Sequence, residues 1–146
     1  LSFVIIIGYL SMINIIYFLA PNRTWDTFPE KCKVSTKCTR VADSNNRGYG
    51  LKPIQLNDTI ENVQSKIVQI IKNKPRMKII NEKEGFIHAT DVTPFFRFHD
   101  DVAIRIFESE NKVNIWLQSQ SRLGLYDLNV NERRVQEIHK KISALD

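Results

Sequence analysis

Residues 102–118 read VAIRIFESENKVNIWLQ, and this stretch decides the fold. Val102, Ile104 and Ile106 alternate with Ala103, Arg105 and Phe107. After a turn at residues 109–111, Val113, Ile115 and Leu117 alternate with Asn114, Trp116 and Gln118. Successive side chains of a strand point to opposite faces, so each segment sets one aliphatic row on a core. The other row is expected to face water or a partner. Just upstream, residues 77–81 and 86–90 flank Glu84-Gly85, which predicts a second hairpin.

Helical spacing brackets the four strands. Ile60, Val63, Ile67, Ile70 and Ile71 recur at steps of three and four, behind a capping-box spacing of Asp58 and Glu61. Lys72 and Lys74 suit the negative end of that helix, and Pro75 stops it. Beyond a polar stretch at 119–130, Asn131 is expected to cap a last helix carrying Val135, Ile138, Ile142 and Leu145 on one side. The order helix, four strands, helix predicts an α+β domain over residues 57–146. It would be a small antiparallel four-stranded sheet with two flanking helices on one face. Residues 21–56 are rich in Pro, Gly, Asn, Ser and charge and read as a connector carrying a cysteine pair.

The front of the chain has a different composition. Residues 1–20, LSFVIIIGYLSMINIIYFLA, contain 16 apolar or aromatic residues and no charge. As a helix they span about 30 Å, the thickness of a bilayer's hydrocarbon core, and are read as a retained single-pass transmembrane helix. A signal peptide would show a basic start, a shorter apolar run and a small-x-small cleavage site. Pro21 ends the span and Trp25 suits the membrane interface. Gly8, Ser11 and Asn14 share one side of the helix, where small and amide residues favour a helix neighbour.

The flank carries Arg23, Lys31, Lys33, Lys37 and Arg40 against Asp26 and Glu30, which favours the cytoplasmic or stromal side. Cys32 and Cys38 can close a small disulfide loop, which would require an oxidising compartment. The two signals conflict. The charge signal is weighted more here, with the thiols reduced.

Composition excludes several classes. The chain has 146 residues, a formal net charge of +5, two cysteines and three histidines. That is one domain, with too few cysteines for a disulfide scaffold or a four-thiolate zinc site. No H-x-x-x-H spacing and no phosphate-binding glycine loop occurs. The basic residues are dispersed, so nucleic acid is not an expected partner, and no cofactor is expected. Asp100 and Asp101 are adjacent; on a strand they point to opposite faces and do not share one ion.

The stretch SQSRLGLYDLNVNERRV, residues 119–135, resembles the C-terminal signature of domain-of-unknown-function family 1499. Ser119, Ser121, Arg122, Gly124, Asp127, Asn131 and Arg134 carry the match. His88-Ala89, Asp100-Asp101-Val102 and Cys32-x-x-Ser35-x-x-Cys38 resemble further family elements. Gln118, Asn129 and Glu132 depart from it, standing where the family has Arg, Gly and Arg. The resemblance implies a small, often membrane-tethered domain of bacteria and plastid-bearing organisms, without an agreed reaction.

An enzymatic reading would gather His88, Asp100, Asp101, Ser119, Ser121, Arg122 and Asp127 into one site. A structural reading is preferred. In it Asp127 holds Arg122 or loop amides, Asn131 caps the helix, and the serines satisfy turn backbone. Phe95, Phe96 and Trp116 are candidate contacts for a partner. The expectation is therefore a non-enzymatic accessory subunit. It would be anchored in the bilayer and docked on an integral membrane complex, with a thylakoid photosystem suggested by the family's plastid members. The alternative is a membrane-tethered extracytoplasmic domain binding a small ligand or anion.

Overall fold

Hydrophobic periodicity of both kinds is realised in the computed structural model, which describes residues 2–145. The apolar run forms α1 (Ser2–Leu19). Its mean hydropathy is 2.1, and it is long and apolar enough to cross a membrane, as a span or as a signal sequence. The domain follows as β1 (Cys38–Val41), β2 (Ile54–Leu56), α2 (Ile60–Lys72), β3 (Met77–Lys83), β4 (Phe86–Val92), β5 (His99–Ser109), β6 (Lys112–Ser121) and α3 (Val130–Ser143).

The sheet has six antiparallel strands, not the expected four. Its order is β1-β6-β5-β4-β3, and β2 also pairs with β6. Strands β1 and β2 divide one edge of β6 between them, at 117–120 and 113–115. Both lie in the stretch read as a connector. They are too short for a period-two pattern to register, and pairing with the long β6 is what makes them strands. The long β5–β6 hairpin matches the sequence reading, with Ile104 opposite Leu117 and Ile106 opposite Ile115. Its turn puts Glu110 and Asn111 at φ 54° and 59°, the left-handed pair that a two-residue hairpin needs.

Helices α2 and α3 cover one face. Val63, Ile67 and Ile71 meet Val135, Ile138 and Ile142 over Ile87, Ala89, Val102, Ile104 and Leu117. The caps differ from expectation by small shifts. Thr59, not Asp58, caps α2 by accepting the Asn62 N–H at 3.2 Å. Asp127 caps α3, accepting the N–H groups of Asn129 and Asn131, while Asn131 turns into the interior.

The other face is partly covered as well. Residues 21–31 fold back across it, so that Phe28 lies 5.9 Å from Trp116, ring centre to ring centre, and Trp25 stacks on His88 at 5.0 Å. The outer row of β5 and β6 is therefore largely buried: Asp101, Ala103 and Gln118 are fully enclosed. Trp116 is also flanked by Phe107 and is half-buried.

Cys32 and Cys38 are bridged, with Cα atoms 5.8 Å apart, in place of the reduced pair that the orientation argument assumed. The bridge ties the segment over the sheet to the start of β1. Closing so short a loop is worth about 2 kcal/mol. Cys32→Ser with Cys38→Ser should lower unfolding stability by about that amount in urea titration.

Candidate functional site

The family-like residues fall into two networks on opposite faces of the sheet. Adjacent strand residues alternate faces, so Asp100 and Asp101 are separated by the sheet itself.

On the helix face, Asp91 and Asp100 sit directly opposite each other on β4 and β5. Arg134, one turn into α3, lies over both. Its Nε donates to Asp91 Oδ2 and its Nη2 to Asp100 Oδ2, each at 2.8 Å. Its Nη1 donates to Ser119 Oγ and Asn131 Oδ1. Asn131 is fully buried and gives its amide hydrogens to Ser121 Oγ, Asp127 Oδ2 and the Lys37 carbonyl. Asp127 in turn takes Arg47 Nη1 at 2.9 Å. Its expected partner, Arg122, is on the other face.

Arg47 was invisible to sequence reasoning, since it sits in an aperiodic loop at φ 52°. It also donates to Asn129 and lies 4.0 Å from Glu132. Two of the three departures from the family pattern thus meet one cation. Asn129 adopts the left-handed conformation, at φ 61°, which glycine takes most readily. At the third departure, Gln118 accepts from the buried Arg40 at 2.8 Å. Asp91 had a legible signal: once residues 94–96 are the bend, strand register puts it against Asp100.

On the far face, His88 Nε2 and Asp101 Oδ1 are 2.8 Å apart, and Arg122 straddles the same carboxylate through Nε and Nη2. His88 Nδ1 accepts the Trp25 N–H at 3.1 Å, so Nε2 carries the ring proton and donates to Asp101. Ser119 and Ser121 are across the sheet from His88 and form no Ser–His–Asp relay with it and Asp101. Among the described residues no three His, Cys, Asp or Glu side chains are grouped to hold a metal ion.

Electrostatics separate the two aspartates. Burial pushes Asp100 above its ordinary value despite Arg134, because one guanidinium serves two carboxylates. Burial also pushes Asp101 up, but hydrogen bonds from His88 and Arg122 and the charge of Arg122 outweigh it and hold it low. A carboxyl raised in the fold stabilises below its unfolded pKa and loses that contribution as pH rises through the folded one. The Tm of Asp100→Asn should therefore fall less than that of the native chain as pH rises from about 4 towards neutrality. Parallel melts across that range check this.

Above Asp91, Asp100 and Arg134 opens a groove of about 450 Å³. Phe95, Phe96 and Phe98 form one wall and Leu123, Tyr126 and Leu128 another. Phe95 and Leu128 are 72% and 70% exposed, so the groove has an apolar rim over a charged floor. Arg76 and Arg133, both exposed, also line it. Asp100 Oδ1 is buried without a hydrogen-bond partner among the described residues.

Helix α1 meets this rim: Tyr9 Oη donates to the Phe95 carbonyl at 2.6 Å, and Arg97 lies over the Tyr17 ring at 4.4 Å. Gly8, Ser11 and Asn14 remain exposed, and the Asn14 amide is satisfied within the helix by the Leu10 carbonyl.

A six-stranded α+β domain, with buried arginine–carboxylate networks on both sheet faces and an apolar helix in front, is the class of protein these features define. Residues 30–142 match a family model described as a protein of unknown function (DUF1499), and the chain belongs to that family. No curated protein matches it.

Proposed function

We propose that this is a single-pass membrane protein, not an enzyme, that docks through α1 and the aromatic rim on an integral membrane partner. The observation that carries this reading is the contact between Tyr9 and Phe95. Tyr9 is ten residues from the end of α1, about 15 Å along the helix. The aromatic bend thus lies alongside the second half of α1, and the exposed Phe95 and Phe96 continue its apolar surface. Two contacts on one tethered body reinforce each other, so neither need be strong alone. The Cys32–Cys38 bridge favours a domain on the oxidising side of the membrane, against the basic flank.

Phe95→Ser with Phe96→Ser should release the chain from its complex in native electrophoresis of mildly solubilised membranes, with Tm unchanged. The co-migrating band identifies the complex, a photosystem among the candidates. Recovery of the native chain as a free monomer would overturn docking.

A second reading is favoured by the lining of the groove. Its apolar walls and the exposed Arg76 and Arg133 suit a small anionic amphiphile. Under this reading Arg133→Glu weakens ligand binding and leaves the complex intact.

A further inference from the structure

The far-face network is directed at backbone. Only Ala20 separates α1 from Pro21, and residues 21–26 run irregularly along the sheet with Arg23 and Trp25 turned inward. Arg122 Nη1 donates to the Pro21 carbonyl at 2.9 Å and Nη2 to the Arg23 carbonyl at 3.3 Å. His88 takes the Trp25 N–H, and Asn81 Nδ2 donates to the Trp25 carbonyl at 2.9 Å. The indole of Trp25 stacks on the imidazole. Four main-chain groups and one aromatic face are thus read by three side chains, and Asp101 holds two of these in place.

The ownership of these residues matters. Asn81, His88, Asp101 and Arg122 lie inside the family match at 30–142, whereas the segment they hold lies outside it. All four side chains therefore lie within the matched domain, and the segment they hold precedes it.

We propose that Asn81, His88 and Arg122, with Asp101 as the positioning residue, form a recognition site for an extended peptide backbone. This chain fills that site in cis with residues 21–25. Occupancy fixes the domain one residue from the end of α1. A free linker of this length would let it roam over a range growing with the square root of residue number. The rigid setting holds the aromatic bend against the helix, but the site stands on its own contacts and does not depend on docking. A tethered occupant acts at high effective concentration, so the site looks structural until the tether is altered.

The test uses the full chain in nanodiscs and a labelled peptide spanning residues 20–27. Residues 21–26 are replaced by six alternating Gly and Ser residues. The peptide should bind this linker variant at least about tenfold more tightly than the native chain, whose site is filled. A peptide with Trp25→Ala should lose most of that binding. Equal binding to both chains, or binding to neither, overturns the proposal.

A second measurement needs no linker variant. In the native chain, hydrogen exchange should protect the Trp25 amide while the exposed Asn22 and Thr24 amides exchange freely. Exchange of Trp25 as fast as these neighbours also overturns it.

Discussion

Arg134→Ala should lower the stability of the domain by about 3–5 kcal/mol, a fall in Tm of roughly 10–20 °C. Arg134 is 5% exposed and is the cation shared by Asp91 and Asp100. Truncation strands both carboxylates, and one of them already has an unpartnered oxygen. It also takes a donor from Ser119 and from Asn131, the residues that join α3 to β6. The cost comes from desolvated charge and not from lost packing, and this can be tested directly. Adding Asp91→Asn and Asp100→Asn to Arg134→Ala should recover most of the loss. A background in which the asparagines bring no recovery would assign the cost to packing. Thermal melts of the single and triple variants decide between the two.

Asp127→Ala should follow, at about 3 kcal/mol. Its carboxylate accepts two backbone N–H groups at the start of α3 and also holds the buried Asn131 amide. Burial pushes this carboxyl up, but Asn131 and Arg47 outweigh it and hold it low, so its contribution is present at neutral pH and fades as pH falls through the folded pKa. Arg47 keeps some contact with water at 15% side-chain exposure, so the charge left behind costs less than the two stranded by Arg134→Ala. The sequence alone suggested an Asp127–Arg122 pair. With the two residues on opposite faces, Asp127→Ala and Arg122→Ala should instead act additively in a double-mutant cycle. A coupling above about 0.5 kcal/mol would contradict the separation.

The legible parts of the molecule were those governed by local periodicity. Alternation over residues 102–118 located β5, β6 and their turn, and spacing of three and four located α2 and α3. Alternation also placed Asp100 and Asp101 on opposite faces, which argues against their sharing one ion. The illegible parts depended on distant neighbours. Strands β1 and β2 have four and three residues, too few to carry a period, and exist because β6 offers them an edge. Trp116 read as outward-facing because alternation says which face a side chain takes and nothing about what later covers that face.

An apolar N-terminal helix and an antiparallel α+β core were thus legible without coordinates, because they follow from interactions within a few residues, where backbone geometry converts spacing directly into a face. The family was legible in the motif at residues 119–135. Only the tertiary structure decided the partners: Arg134 with Asp91 and Asp100, Arg47 with Asp127, and Arg122 with Asp101 and the backbone of residues 21–23. Those pairings span up to 101 residues of chain, as between Arg122 and Pro21. Many carboxylates could satisfy a given arginine, and the choice among them is made by sheet register, by the side on which the connector folds back, and by the cost of leaving any buried charge alone.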